Sequence, residues 1–119
     1  MNENDRINYV EFPAVNLEAT KCFFIDVFGW EFEDYGSDYT AFSNSGIEGG
    51  FFPAEQAAST ANGSALVILY SDELEVVRDR VVAAGGKIVR DIFSFPGGRR
   101  FQFTEPSGNE LAVWSDRGE

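Results

Sequence analysis

The segment EFPAVNLEATKCFFIDVFGW, residues 11–30, decides the fold because it holds the end of a strand and a complete helix with both boundaries. Asn16 is a favoured N-cap residue and predicts a helix over residues 17–28. The apolar residues of that helix recur at helical spacing and form one broad stripe: Leu17, Phe23, Phe24, Val27 and Phe28. Gly29 stands where a left-handed residue ends a helix. The helix is therefore expected to bury this stripe against another element.

Short strands surround the helix. Residues 7–12 indicate a strand, which we expect Pro13 to limit. After the helix, β-rich runs separated by turns predict three strands, at residues 30–35, 39–42 and 47–52. Residues 53–63 are small and polar and predict a linker or a mobile loop.

The same order then repeats. Residues 65–70 predict a strand, and a second helix is expected to begin at Asp72 and to end at Gly85-Gly86. Three more strands are predicted at residues 87–93, 99–103 and 110–114.

An offset of 57 positions relates the two halves, since it separates Leu17 from Leu74 and Gly29 from Gly86. The alternative is a chance spacing of two ordinary helix ends. Because a half-unit of this size cannot bury its sheet face alone, we expect the halves to pair. The predicted organisation is one domain over residues 1–119, with a first βαβββ module at residues 6–53 and a second at 64–115.

Composition excludes several classes of function. The 119 residues include no histidine, which removes the commonest metal ligand and every histidine-containing triad. Nine basic and 20 acidic residues give a net charge of −11, which disfavours binding to nucleic acids and to anionic membranes. This charge serves either solubility or attraction of a cationic ligand or partner.

The single cysteine, Cys22, excludes an internal disulfide, and we expect it to be a buried packing residue. No apolar run approaches the ~20 residues of a membrane helix. The polar start is unlike a secretory signal, so we expect a cytoplasmic protein.

Three motifs carry a family resemblance. The segment of residues 11–30, with VFGW at its end, resembles the first strand and helix of the glyoxalase/bleomycin-resistance family, the vicinal oxygen chelate superfamily. AAGGK at residues 83–87 resembles the matching helix end of the second half. FQFTEPSGN at residues 101–109 resembles the closing turn of the family. Together the motifs span almost the whole chain and are specific for a fold, not for a reaction.

The resemblance implies an α+β fold, in which two βαβββ modules pair curved mixed sheets around a cavity. Members often form dimers with the site near the subunit boundary, so a homodimer is expected. Metal-dependent members place ligands in the first and last strands of each module. Here those places fall on Tyr9, on Leu66, within residues 49–52 and on Ala112. Because none is a usual ligand for a divalent cation, we expect no metal of the family type and no cofactor.

Strand alternation predicts which residues line the cavity. If Tyr9 faces it, Glu11 does too, and if Ala112 faces it, so does Glu110. The predicted ligand-binding residues are Tyr9, Glu11, Phe52, Gln102, Glu110 and Trp114, and the catalytic residues stay unassigned. The roles of these two glutamates stay open. Either they bind a cation or act as acid and base, or one of them pairs with an arginine and the other is solvated by water.

Two residue pairs carry open alternatives. Arg99-Arg100 clamps an anion or, as we favour, neutralises the acidic surface. Phe51-Phe52 forms a mobile aromatic flap or, as we favour, packs in the core.

Three functions compete. The leading hypothesis is metal-independent binding, including sequestration, of a small aromatic or cationic molecule in a cavity between the modules. The second is a metal-dependent lyase, isomerase or dioxygenase of the same superfamily, whose rearranged metal site brings Glu11, Gln102 and Glu110 together. The third is a partner domain whose acidic face binds a basic protein.

Overall fold

The computed structural model describes residues 2–117 and begins with a strand, a helix and three strands. These elements are β1 (Tyr9–Ala14), α1 (Leu17–Phe28), β2 (Glu31–Asp34), β3 (Thr40–Ser43) and β4 (Glu48–Pro53). They form a sheet of order β1-β4-β3-β2, in which β1 and β4 are parallel and the other pairs antiparallel. The first half therefore builds one mixed sheet with one helix.

The second half repeats this arrangement after a single 3-10 turn, Thr60–Asn62. Its elements are β5 (Val67–Tyr70), α2 (Leu74–Ala83), β6 (Lys87–Phe95), β7 (Gly98–Thr104) and β8 (Glu110–Ser115). The sheet order β5-β8-β7-β6 matches the first sheet, again with its one parallel pair between the first and last strands. The predicted α+β fold of two βαβββ units is confirmed.

Helix α1 has the boundaries that the sequence predicts. The Asn16 side chain accepts a hydrogen bond from the backbone N of Ala19 at 3.1 Å. Gly29 is left-handed, with φ of 71°, and its N–H donates to the carbonyl of Ile25 at 3.0 Å. Helix α2 begins at Leu74, two residues later than predicted, because Ser71 instead uses its hydroxyl to accept from the backbone N of Glu73 at 3.1 Å.

Helix α1 packs against both sheets at once. Phe24 is fully buried, and its ring stacks on that of Trp30 with 4.4 Å between the ring centroids. The centroid of the Phe51 ring in β4 lies 5.5 Å from that of Phe24. Phe23 packs against Phe103 of β7 at 5.9 Å. The covered faces of the two sheets consequently belong to one hydrophobic core, with the helices inside it.

The turn before β8 ties the second sheet to the start of α1. The Ser107 hydroxyl lies 2.6 Å from that of Thr20. The buried amide of Asn109 donates to the carbonyl of Pro13 at 2.6 Å and accepts from the backbone N of Ala58 at 2.8 Å. Burial raises the pKa of the Glu105 carboxyl in this turn, and hydrogen bonds from Asn109 and Ser107 oppose the rise. The closing turn thus joins the two halves by polar contacts.

The segment between the modules is anchored, whereas the sequence predicted a linker or a mobile loop. Thr60 donates to Glu110 Oε1 twice, from its backbone N at 2.8 Å and from its hydroxyl at 2.9 Å. Gln102 donates to Glu110 Oε2 at 2.8 Å, and the backbone N of Glu110 donates to the carbonyl of Ala58 at 2.9 Å. Glu110 therefore holds the segment against β7 and β8.

Two local predictions are wrong. Strand β1 continues through Pro13 to Ala14, which is tolerated because β1 is an edge strand and pairs only with β4. Cys22 is exposed, because it lies on the side of α1 that faces solvent. The buried residues of the helix are Thr20, Phe23, Phe24 and Val27.

The longest helix has 12 residues, and no helix within residues 2–117 has the length and apolarity to cross a bilayer.

Replacing Asn109 tests the closing turn. Asn109→Ala leaves the carbonyl of Pro13 and the N–H of Ala58 without their partner, so we expect the free energy of unfolding to fall by about 2–4 kcal/mol. Asn62→Ala is the matched control, because the exposed Asn62 amide donates only to the carbonyl of Ala57, at 3.1 Å. Urea unfolding measures both. Equal losses in the two variants would contradict the account.

The pH dependence of stability tests the Glu110 anchor. Burial alone would raise the pKa of Glu110, but the hydrogen bonds from Thr60 and Gln102 lower it below the ordinary 4.5. Its stabilising contribution is then complete above about pH 4.5 and is lost as the pH falls through the folded pKa. At pH 7 we expect the free energy of unfolding of the wild type to be about 1 kcal/mol higher than that of Glu110→Gln. This difference should disappear at acidic pH.

Urea unfolding from pH 7 to pH 3 measures that gap, and Glu55→Gln, in the exposed part of the same segment, is the control. A gap that stays constant over this range would show that the Glu110 carboxylate does not carry the anchor.

Candidate functional site

Each sheet has one face in the shared core and one face that points away from it. We call the uncovered face of the β1-β4-β3-β2 sheet the N-terminal face and that of the β5-β8-β7-β6 sheet the C-terminal face. Tyr9, Glu11 and Phe52 lie on the N-terminal face, and Gln102, Glu110 and Trp114 lie on the C-terminal face. No hydrogen bond or ring contact among residues 2–117 joins the two groups.

A chain of hydroxyl groups organises the N-terminal face. Tyr39 donates to Glu11 Oε2 at 2.9 Å, and its oxygen lies 2.6 Å from the Tyr9 hydroxyl. The Tyr39 ring crosses the backbone of β4 at Gly50, where a Cβ atom would come within 2.1 Å of the Tyr39 oxygen. Burial and the neighbours Tyr9 and Glu11 raise the pKa of Tyr39. Tyr39 therefore stays a neutral donor that orients the Glu11 carboxylate.

Acidic and aromatic side chains line a groove that shares Tyr9 with this hydroxyl chain. A groove of about 350 Å³ on the same side of the sheet is lined by Tyr9 and Tyr35 together with Glu31, Glu33 and Glu48. None of the side chains that line it is basic. Glu33 raises the pKa of Tyr35 by its charge, as expected where negative charge is concentrated. Carboxylates beside aromatic rings attract organic cations.

The C-terminal face differs, because the oxygens of Glu110 are already engaged by Thr60 and Gln102. Trp114 lies between Tyr70, at 5.2 Å, and Phe95, at 6.3 Å between ring centroids. Beside it is a pocket of about 290 Å³, lined by Ile68, Phe95, Arg100 and Trp114. This face offers aromatic surface rather than free carboxylates.

The two adjacent arginines have separate roles. Arg99 lies on the covered side and pairs with Glu75 of α2 at 2.6 Å, which fits the favoured neutralising role. Arg100 alternates to the C-terminal face, where it donates to Gln102 Oε1 at 3.4 Å. Phe51 and Phe52 also separate, with Phe51 in the core and Phe52 exposed at 38%.

Sequence reasoning missed Tyr39, Arg90 and Phe93. Tyr39 had a usable signal, since it begins a predicted strand and the glycine pair in β4 leaves room for a ring. Arg90 and Phe93 had none, because their common side of the sheet depends on irregular pairing of β6.

A cavity of about 650 Å³ is lined by residues of both halves, including residues of β1 and β5. Its walls include Val10 and Phe12 of β1 and Val67 and Leu69 of β5, and they carry no charged side chain. It is therefore a largely apolar pocket between the halves, and its lining includes none of the six predicted ligand-binding residues.

The donor atoms do not fit a metal site of the family type. Tyr9 bonds to Tyr39, Leu66 lies one residue before β5, and Ala112 is fully buried. Within residues 2–117 no group of three His, Cys, Asp or Glu side chains is arranged to hold an ion. The rearranged set is not assembled within the chain either, since Gln102 bonds to Glu110 and Glu11 bonds to Tyr39.

Comparison with known proteins assigns the family. The sequence model of the glyoxalase/bleomycin resistance protein/dioxygenase superfamily matches residues 6–113. A glyoxylase-like domain-containing protein of Didymella fabae is 28% identical over 123 positions, with 96% of each chain covered. The protein CFP32 of Mycobacterium bovis is 25% identical over 127 positions, which cover 90% of this chain and 44% of CFP32. This chain thus spans less than half the length of that relative.

A solved structure gives the same fold. A glyoxalase/bleomycin resistance protein/dioxygenase family enzyme from Burkholderia phytofirmans superposes with a TM-score of 0.78 at 12% identity, covering 93% of this chain and 98% of that one. With the family match over most of its length, this chain belongs to the glyoxalase/bleomycin resistance protein/dioxygenase superfamily.

Proposed function

We propose that the protein binds a small aromatic cation on the N-terminal face without the help of a metal. The observation that carries the proposal is the Tyr9–Tyr39–Glu11 hydrogen-bonded chain, whose Tyr9 end also lines a groove that holds acidic and aromatic side chains and, among residues 2–117, no basic one. Sequestration of such a compound requires only this recognition. The cytoplasmic location stays a prediction.

Glu11 supplies the charge for recognition. Tyr39 occupies Oε2, and Oε1 has no donor among residues 2–117, so Oε1 is free to accept from an ammonium group. The neighbouring rings of Tyr9 and Phe52, exposed at 44% and 38%, offer apolar surface to the ligand. A charged carboxylate next to aromatic surface favours a ligand that is itself both flat and positively charged.

We also propose that two chains form a homodimer in which the N-terminal face of each covers the C-terminal face of the other. Charge supports this pairing, because the first face carries Glu31, Glu33 and Glu48 while the second carries Arg90 and Arg100. Large apolar side chains are also exposed on both faces, namely Tyr9, Phe52, Ile68 and Tyr70. The pairing would set the acidic face of one chain against the two arginines of the other.

Calorimetric titration with benzyltrimethylammonium tests the binding proposal. We expect saturable binding that Glu11→Gln weakens about tenfold, because the substitution removes the countercharge and keeps the size. Glu55→Gln changes the net charge equally at an exposed site and should bind like the wild type. Benzyl alcohol tests the need for the positive charge.

Two results would contradict the proposal. One is an absence of binding, or binding that Glu11→Gln leaves unchanged. The other is stoichiometric zinc, nickel, iron or manganese in protein purified without chelators, which would favour the superfamily lyase, isomerase or dioxygenase instead.

Sedimentation equilibrium tests the homodimer. We expect a mass of twice the 13.2 kDa chain at low ionic strength, with dissociation promoted by about 1 M salt, because opposite charges face each other across the interface. A monomer at every concentration, or a dimer that salt strengthens, would contradict the proposed charge pairing.

A further inference from the structure

Two irregularities in β6 place side chains where a regular strand would not. Successive pairs between β6 and β7 are Ile88–Phe103, Arg90–Gln102 and Phe93–Arg100. Between each pair and the next, β6 contains one residue more than β7. Arg90 and Phe93 are three positions apart and would face opposite sides of a regular strand. The bulge between them brings both to the C-terminal face. Bulges of this kind commonly redirect side chains beside functional sites.

The redirected residues form a cluster of two guanidinium groups about one ring. The Arg90 guanidinium carbon lies 3.6 Å from the centroid of the Phe93 ring, and that of Arg100 lies 5.4 Å from the same centroid. Both positive charges therefore lie within the range of a cation–π contact with Phe93. Two like charges are thus held close together on the C-terminal face.

Neither arginine has an acidic partner among residues 2–117. Arg78 pairs with Asp91 at 3.1 Å and Arg99 with Glu75 at 2.6 Å, whereas Arg90 and Arg100 take part in no ion pair within the described residues. Arg100 Nε is buried and lacks a hydrogen-bond acceptor in the described part of the chain. A buried donor without an acceptor costs free energy. In a protein with 20 acidic residues, this arrangement favours an anion supplied from outside.

The pocket beside Arg100 fits a flat ring. Its walls are Ile68, Phe95 and Trp114, with Arg100 at one side and a volume of about 290 Å³. The Gln102 amide bonds to both neighbours. Its oxygen accepts a hydrogen bond from the Arg100 guanidinium at 3.4 Å, and its nitrogen donates to the Glu110 carboxylate at 2.8 Å. An anionic group at the guanidinium cluster would thus place an attached ring against Trp114.

We infer that the C-terminal face binds an aromatic carboxylic acid, with its carboxylate on Arg90 and Arg100 and its ring in the pocket beside Trp114. Guanidinium groups match the geometry of a carboxylate and bind it through paired hydrogen bonds. This site goes beyond the proposed function, because it lies on the other sheet and takes a ligand of the opposite charge, whose carboxylate would replace the acidic side chains of the second copy as the partner of Arg90 and Arg100.

Calorimetry on the full chain with benzoate as the probe tests the inference. We expect saturable binding of benzoate and at least about tenfold weaker binding of benzamide, which has the same ring without the charge. Arg100→Gln and Arg90→Gln should each weaken benzoate binding about tenfold. Arg6→Gln removes the charge of an exposed arginine that does not line the pocket and should leave benzoate binding unchanged. Circular dichroism checks that each variant is folded.

Several results would overturn the inference: no binding of benzoate, equal binding of benzoate and benzamide, or affinity that survives Arg100→Gln and Arg90→Gln. Inorganic phosphate that binds as tightly as benzoate would show an anion site without an aromatic subsite and would overturn it too. If the arginine variants dissociate the dimer while benzoate fails to bind, the two arginines pair with acidic residues of the second copy instead. Benzyltrimethylammonium binding to the same variants reports separately on the N-terminal face.

Discussion

Helix α1 turns Phe24 toward the first sheet and Phe23 toward the second, and this double contact sets the arrangement of everything else. Both rings are almost completely removed from water, and burial of each stabilises the fold by about 2 kcal/mol relative to exposure. Because one helix serves both sheets, their covered faces merge into one core. The opposite faces then point outward, which is why the candidate binding residues lie in two separate groups.

The two outward faces differ in chemistry although their strand orders are the same. On the N-terminal face Tyr39 directs the Glu11 carboxylate within an acidic surface. On the C-terminal face the carboxylate of Glu110 is already engaged, because it anchors the segment between the modules. Positive charge is instead gathered around Phe93. A duplicated framework thus carries two different surfaces, and in the part of the chain that the structure describes neither has the donor set of a family metal site.

Local signals in the sequence predict the framework well. Asn16 and Gly29 bound α1 as expected, since capping depends on residues within one turn of the helix. Alternation also places Glu11 and Phe12 on opposite faces of β1. Contacts between distant segments are harder to predict. Tyr39 reaches Glu11 across β4, and the bulges that turn Arg90 toward Phe93 depend on the pairing partner rather than on β6 itself.

The most direct test of the shared core uses the two tryptophans as separate reporters. Trp114→Phe keeps Trp30, beside Phe24 of α1, as the remaining tryptophan. Trp30→Phe keeps Trp114, on β8. In each variant, urea unfolding is followed by tryptophan fluorescence and by far-ultraviolet circular dichroism. A single core predicts that both signals change together in each variant, as in a cooperative two-state transition. Fluorescence transitions that precede or follow the loss of secondary structure would show that the two halves unfold independently and would contradict the account.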